Sequence, residues 1–160
     1  VVAEHLQAHR LLPGDGALWF TETAADRIGR LTTDGTVTGY PLPRTGAFPS
    51  AIAAAGDAMW FTMNQANAVG RIGMDGRITV HELPTEAAAP VGIAAGPDGS
   101  VGFTEIAAGQ IGRRAPDGRI TEYPLPDRGC GCSGPRRPYS RSPRGVSSSA
   151  RWPTVRTSSP

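Results

Sequence analysis

Three observations predict an all-β chain assembled from β-propeller blades. A unit of 41 or 42 residues recurs three times across residues 1–126. Each copy reads as four short strands, and four antiparallel strands every 40–45 residues or so is the pattern of a propeller blade. The 160 residues include 21 glycines and 15 prolines, a density that breaks helices and excludes a helical bundle or a coiled coil.

The three copies are predicted at about 1–43, 44–84 and 85–126. Their second strand is Leu18-Trp19-Phe20-Thr21-Glu22, then Met59-Trp60-Phe61-Thr62-Met63, then Val101-Gly102-Phe103-Thr104-Glu105. Aromatic side chains suit a pleated, half-buried surface. The third strand follows as Arg27-Ile28-Gly29-Arg30-Leu31, Ala68-Val69-Gly70-Arg71-Ile72 and Gln110-Ile111-Gly112-Arg113-Arg114. Asp34-Gly35, Asp75-Gly76 and Asp117-Gly118 then read as two-residue hairpin turns, with positive φ expected at both positions. The fourth strand ends in a proline-rich exit such as Tyr123-Pro124-Leu125-Pro126, because proline stops a ladder. The first strand of the second copy is the apolar run 51–55, turned by Gly56-Asp57.

The unit stops at Asp127. Residues 127–160 hold seven Arg, eight Ser, five Pro and four Gly. Such a composition cannot offset the entropy of ordering and is expected to be disordered. The net charge of +2 hides a body with 9 Arg against 13 Asp and Glu and a tail with 7 Arg against one Asp. An out-of-frame reading of GC-rich coding DNA accounts for such a tail better than a nucleic-acid-binding segment does, so nucleic acid is not an expected partner. Cys130 and Cys132 make half a metal site at best. No run of 18 apolar residues is present and no signal-like segment opens the chain, so neither a membrane partner nor export is expected, and the cytoplasm is the expected setting. Three blades fall short of the usual closed ring. A partial copy of a larger propeller is therefore expected, with self-association through open blade edges.

The unit resembles the streptogramin B lyase (virginiamycin B lyase) family. The matching stretches are Gly96-Pro97-Asp98-Gly99, Trp19-Phe20-Thr21-Glu22, Ile28-Gly29-Arg30-Leu31 and residues 120–126. The resemblance implies a seven-bladed propeller that opens the ester of a cyclic depsipeptide antibiotic by elimination. It also implies Mg²⁺ held by glutamates and a general-base His in a P-H-G-I motif. Glu22 and Glu105 match the glutamate that closes a W-F-x-E strand and are the candidate metal ligands, whereas Met63 departs from it. The P-H-G-I histidine position holds Ser50 and Val91, and in the first copy Ala8, with His9 one place away. No catalytic residue can be named, and the chain is expected to be inactive. Positions 91 and 105 are equidistant from Asp98, which predicts that they are near cross-strand neighbours at the same rim.

Structural roles compete at several of these positions. Glu22 and Glu105 also suit rim side chains bonded to a neighbouring blade. His81 takes the place of Tyr40 and Tyr123 and suits packing. Arg30, Arg71 and Arg113 suit blade-to-blade ion pairs. Two further functions fit the same repeats: a non-catalytic binding or scaffold propeller, and a metal-dependent lactonase.

Overall fold

The computed structural model describes the backbone of residues 6–11 and all of residues 16–126. The predicted tail, with Cys130 and Cys132, lies outside the described residues, as do the side chains of Ala8 and His9. Among the described residues twelve strands form three four-stranded sheets. The first blade contains β1 (Leu6–Leu11), β2 (Leu18–Glu22), β3 (Arg27–Leu31) and β4 (Val37–Pro41). The second contains β5 (Pro49–Ala55), β6 (Ala58–Met63), β7 (Ala68–Gly73) and β8 (Ile78–Glu82). The third contains β9 (Pro90–Ala95), β10 (Val101–Glu105), β11 (Gln110–Arg114) and β12 (Ile120–Pro124). Each sheet pairs its strands antiparallel in chain order, the simplest meander. Among the described residues the helical content is a single 3₁₀ turn, Thr23–Ala25.

The core lies between blades. Alternate residues of a strand face opposite sides of its sheet, so Trp19 and Thr21 face the following blade while Phe20 and Glu22 face the other way. One buried cluster joins Trp19 and Ile28 of the first blade to Ile52, Met59, Phe61, Met63 and Ile72 of the second. The next joins Trp60 and Val69 to Val101 and Phe103. Each Trp among the described residues is backed by the ring at the fourth-strand position. Trp19 stacks on Tyr40 and Trp60 on His81, both with centroids 5.5 Å apart. His81 is thus a packing residue, as its place in the repeat predicts.

The glycine of the third strand has a steric reason. Gly29, Gly70 and Gly112 lie directly opposite Phe20, Phe61 and Phe103. A Cβ at any of them would overlap the facing ring. The phenyl ring lies flat over bare backbone, which lets neighbouring blades approach closely.

The hairpin turns differ from expectation. Gly35, Gly76 and Gly118 have φ of 88°, 78° and 95°, but the preceding aspartates are not left-handed. Gly76 N–H donates to the Gly73 carbonyl at 2.9 Å and Gly73 N–H to the Arg77 carbonyl at 3.1 Å. This is a three-residue loop with a left-handed glycine bulge. The aspartate serves as an acceptor: Asp34, Asp75 and Asp117 each take the N–H two residues ahead, at 3.1, 3.0 and 2.9 Å. Asp98 does the same in the loop between β9 and β10, and its hydrogen bonds from Ser100 hold its carboxyl down to about 2.

The recurring arginines act within a blade. Arg71 pairs with Asp57 at 2.9 Å and Arg113 with Asp98 at 2.5 Å, each tying the third strand to its own sheet's first turn. Arg30 stands over the Trp19 ring at 5.7 Å. The expected blade-to-blade ion pairs are replaced by these local ones because the register sets Arg71 opposite Trp60, next to the loop after β5. A cation does cross a joint one residue further on: Arg114 of the third blade lies 4.4 Å above Trp60.

Candidate functional site

The first strands of the second and third blades enter the rim through a β-bulge, whereas β1 pairs regularly from Leu6 to Ala8 and is irregular only between Ala8 and Leu11. Pro49 pairs with Met63 and Ile52 with Phe61, so Ser50 and Ala51 together face Thr62. Pro90 pairs with Glu105 and Ile93 with Phe103, so Val91 and Gly92 together face Thr104. A bulge sets two residues against one and re-aims the local side chains. Pro90 lies directly opposite Glu105 and Val91 is one residue further on, so positions 91 and 105 are near neighbours at the rim but not a direct pair.

The threonine of the W-F-T strand pins this bulge from both sides. Thr62 Oγ1 accepts the Ala51 N–H at 3.1 Å and donates to the Val91 carbonyl of the next blade at 2.7 Å. Thr21 Oγ1 donates to the Ser50 carbonyl at 3.1 Å. Thr104 Oγ1 accepts the Gly92 N–H at 2.8 Å. Positions 50 and 91 are therefore held by their own blade through the following amide and by the preceding blade through their carbonyl. Such double support fixes a side chain at the rim, as a reacting group requires. The residues held there are Ser50 and Val91, and neither is a base at neutral pH.

Sequence reasoning missed these threonines. Their signal was a hydroxyl residue recurring among buried neighbours, and Thr21 and Thr62 are themselves fully buried. A second clamp was also missed. Asp26 and Asn67 are left-handed, with φ of 48° and 52°. Asp26 accepts the Gly46 and Phe48 amides at 2.6 and 3.1 Å. Asn67 accepts the Ala88 amide at 2.8 Å and donates to the Thr85 carbonyl at 2.9 Å. Each clamp holds the segment that leads into the next blade.

The two candidate metal ligands have different surroundings. Glu22 pairs with Arg27 of its own blade at 2.5 Å. Glu105 is buried; its Oε2 accepts from Gln110 at 2.6 Å and its Oε1 has no partner. Burial pushes the Glu105 carboxyl upward, the Gln110 hydrogen bond opposes this, and the charge of Glu122 adds to it. Glu122 in turn accepts from the Thr85 amide at 3.1 Å and hydroxyl at 2.7 Å. Both glutamates thus bond within their own sheet rather than to a neighbouring blade. Mg²⁺ demands a near-octahedral set of about six oxygens. No group of three or more His, Cys, Asp or Glu converges among the described residues. Glu105 supplies one free oxygen and Glu22 is held by a guanidinium, so these residues do not form a Mg²⁺ site by themselves.

Comparisons with known proteins agree with this architecture. Virginiamycin B lyase from Staphylococcus aureus superposes with a TM-score of 0.71 at 44% identity, over 76% of this chain and 41% of that one. A solved streptogramin B lyase matches with a TM-score of 0.71 at 46% identity, over 76% of this chain and 40% of its own. Virginiamycin B lyase from Bordetella parapertussis is 53% identical over 38 residues, 24% of this chain and 13% of that protein. The chain thus spans about two fifths of the solved relatives. The virginiamycin B lyase family itself matches over residues 11–134, most of the sequence and all three repeat units from β2 onward, and the chain belongs to that family.

Proposed function

We propose that this chain is three blades of a seven-bladed, streptogramin lyase-type propeller. The whole propeller would linearise a cyclic depsipeptide by elimination at its ester bond, and the 160-residue chain by itself would not catalyse the step. In such an elimination a base takes a C–H proton, the electron pair forms the new double bond, and the C–O bond breaks to release a carboxylate. No water is consumed. The step needs a base with a near-neutral pKa and stabilisation of the developing negative charge.

One observation carries the inactivity: the doubly pinned bulge positions hold Ser50 and Val91. At these two positions the second and third blades supply the frame for a base without the base. Glu105, with its free buried oxygen, and Glu22 serve as cation ligands only beside donors from outside the described residues. The absence of a base at positions 50 and 91 also supports the second reading, a binding propeller without catalysis.

The test incubates the purified 160-residue chain with a streptogramin B and millimolar Mg²⁺, read by mass spectrometry. The intact cyclic mass and retention time should persist. A ring-opened product of unchanged mass overturns the proposed inactivity. A product heavier by one water reveals a hydrolase and overturns the elimination chemistry as well. Millimolar Mg²⁺ should also leave the chain's thermal midpoint unchanged; a saturable rise would show a cation site among these residues.

A further inference from the structure

The two joints between described blades differ at one end. Leu31, Ile72 and Arg114 hold the same register position in their blades, directly opposite Leu18, Met59 and Val101. In the first joint Ile72 is buried in the cluster with Trp19, and Tyr40 backs the indole. In the second joint the matching residues are Arg114 and His81. Both are half-buried and both lie against the Trp60 ring. Arg71 is the direct cross-strand partner of Trp60 and so shares its face of the sheet. Two positions that carry no charge in the first joint are therefore basic in the second, beside an arginine that the repeat already supplies.

Carboxylates do not balance this group. Asp57 bonds Arg71 at 2.9 Å through Nη2 alone. Asp117 attracts Arg114 from the turn after β11, but its Oδ1 accepts the Arg119 amide. Among the described residues Arg114 has no ion-pair partner, and its hydrogen bond runs from Nη1 to the Ala115 carbonyl at 3.2 Å. Its Nε and the Nε2 of His81 are buried without a partner. Native structures leave few buried polar nitrogens unsatisfied, and here two occur at one joint. Burial, then Arg114 and Arg71, hold the His81 imidazole below its ordinary value. Burial, then Arg71, hold Arg114 down too. The Arg71 side chain is 32% exposed, so the cluster reaches solvent at the edge of the joint.

We infer that this end of the second joint binds a small tetrahedral oxyanion, of the sulfate or phosphate class, through Arg71, Arg114 and His81. The anion accepts from a guanidinium of each blade, and from the imidazole once that ring has taken a proton. Guanidinium N–H groups suit it because they meet such oxygens in pairs. Binding relieves the repulsion between the two arginines across the joint. It also favours the protonated imidazole, so affinity rises as pH falls through the His81 titration. The charged groups about His81 are Arg71, bonded to Asp57, on the second blade and Arg114, near Asp117, on the third. Arg114 and Glu105 lie at opposite ends of the β10–β11 pairing, so this site is separate from the candidate rim and does not rest on the catalytic reading.

Thermal unfolding of the full chain in sodium sulfate, against sodium chloride at matched ionic strength, tests it. Sulfate stays a dianion across the range, so a change in its affinity between about pH 8 and about pH 5.5 belongs to the protein. Sulfate should raise the midpoint along a saturable curve, with an apparent affinity about threefold or more higher at the lower pH. Inorganic phosphate should do the same. Arg114→Ile, which copies Ile72, should abolish the saturable rise. His81→Tyr, which copies Tyr40, should keep a rise and lose its pH dependence. Both variants restore the make-up of the first joint and should keep the wild-type circular dichroism. In wild type the His81 ring resonances should shift along the same sulfate curve in NMR spectra. A rise linear in sulfate and equal in all variants would be general salting-out by an adventitious ion only and would overturn the inference. So would a saturable rise that survives Arg114→Ile, an affinity equal at the two pH values, or His81 resonances that ignore sulfate.

Discussion

Strand β6 of the second blade buries all six of its residues, whereas the matching strands of the outer blades bury only alternate ones. The alternation has opposite phase. In β2 the buried residues are Trp19 and Thr21, which face the second blade. In β10 they are Val101, Phe103 and Glu105, which face the second blade from the other side. One repeat unit thus yields three burial patterns, and the number and position of neighbours decide which. The apolar content of a blade is provision for two joints, and an end blade uses half of it.

Deleting a ring from each region gives the largest expected contrast. Trp60→Ala empties the joint between the second and third blades and should cost about 3–5 kcal/mol in urea unfolding. Tyr123→Ala, on the open face, should cost about 0.5 kcal/mol or less. Equal losses would mean that the face carrying Tyr123 is packed as firmly in solution as the joint between the second and third blades.

The glycine beneath the phenyl ring sharpens the same contrast at smaller scale. Gly70→Ala drives a methyl into Phe61, which is enclosed on both sides, and should cost about 2–3 kcal/mol. Gly29→Ala meets the half-exposed Phe20, which has room to turn away, and should cost about 1 kcal/mol or less. If Gly70→Ala unfolds no more easily than Gly29→Ala, the second blade is less tightly held than its burial implies.

The smallest effect is a pH slope. Burial first, then Arg114 and Arg71, hold the His81 imidazole below its ordinary 6.5. The unfolded chain then binds a proton that the folded chain refuses, so stability is present above about pH 6.5 and is lost as pH falls below it. His81→Tyr, which copies Tyr40 and Tyr123, should flatten that acid-side loss in unfolding midpoints measured between pH 7 and 5. Glu105 acts in the opposite sense. Its carboxyl is raised from 4.5, so its share of stability is present at low pH and falls as pH rises past that value. An unchanged slope in the His81 variant would assign the acid sensitivity elsewhere.

Strand order, the turn positions and the packing role of His81 were legible in the sequence because they follow from periodicity and from turn residues. The function of Thr62 was not, since its two hydrogen bonds exist only once a bulge and a following blade are in place. The turn geometry was misjudged because Asp-Gly fits two loop lengths, and only the extra residue, such as Met74, separates them. Symmetry about Asp98 brought positions 91 and 105 near each other, but it could not anticipate the bulge that makes Pro90 the direct partner of Glu105. The candidate site was legible in what it lacks, since Ser50 and Val91 can be read straight from the chain. What the fold adds is how firmly those positions are held.

The threonine hydroxyl also gives the ring a direction. Each joint has a giving side and a receiving side, and every hydroxyl points the same way along the chain. A blade inserted backwards would set two givers face to face. A tandem gene duplication of 41 or 42 codons, by contrast, copies one giver and one receiver together and leaves every old joint intact. Such an architecture grows or shrinks by whole blades, and a gain or loss of any other length leaves a joint with no counterpart.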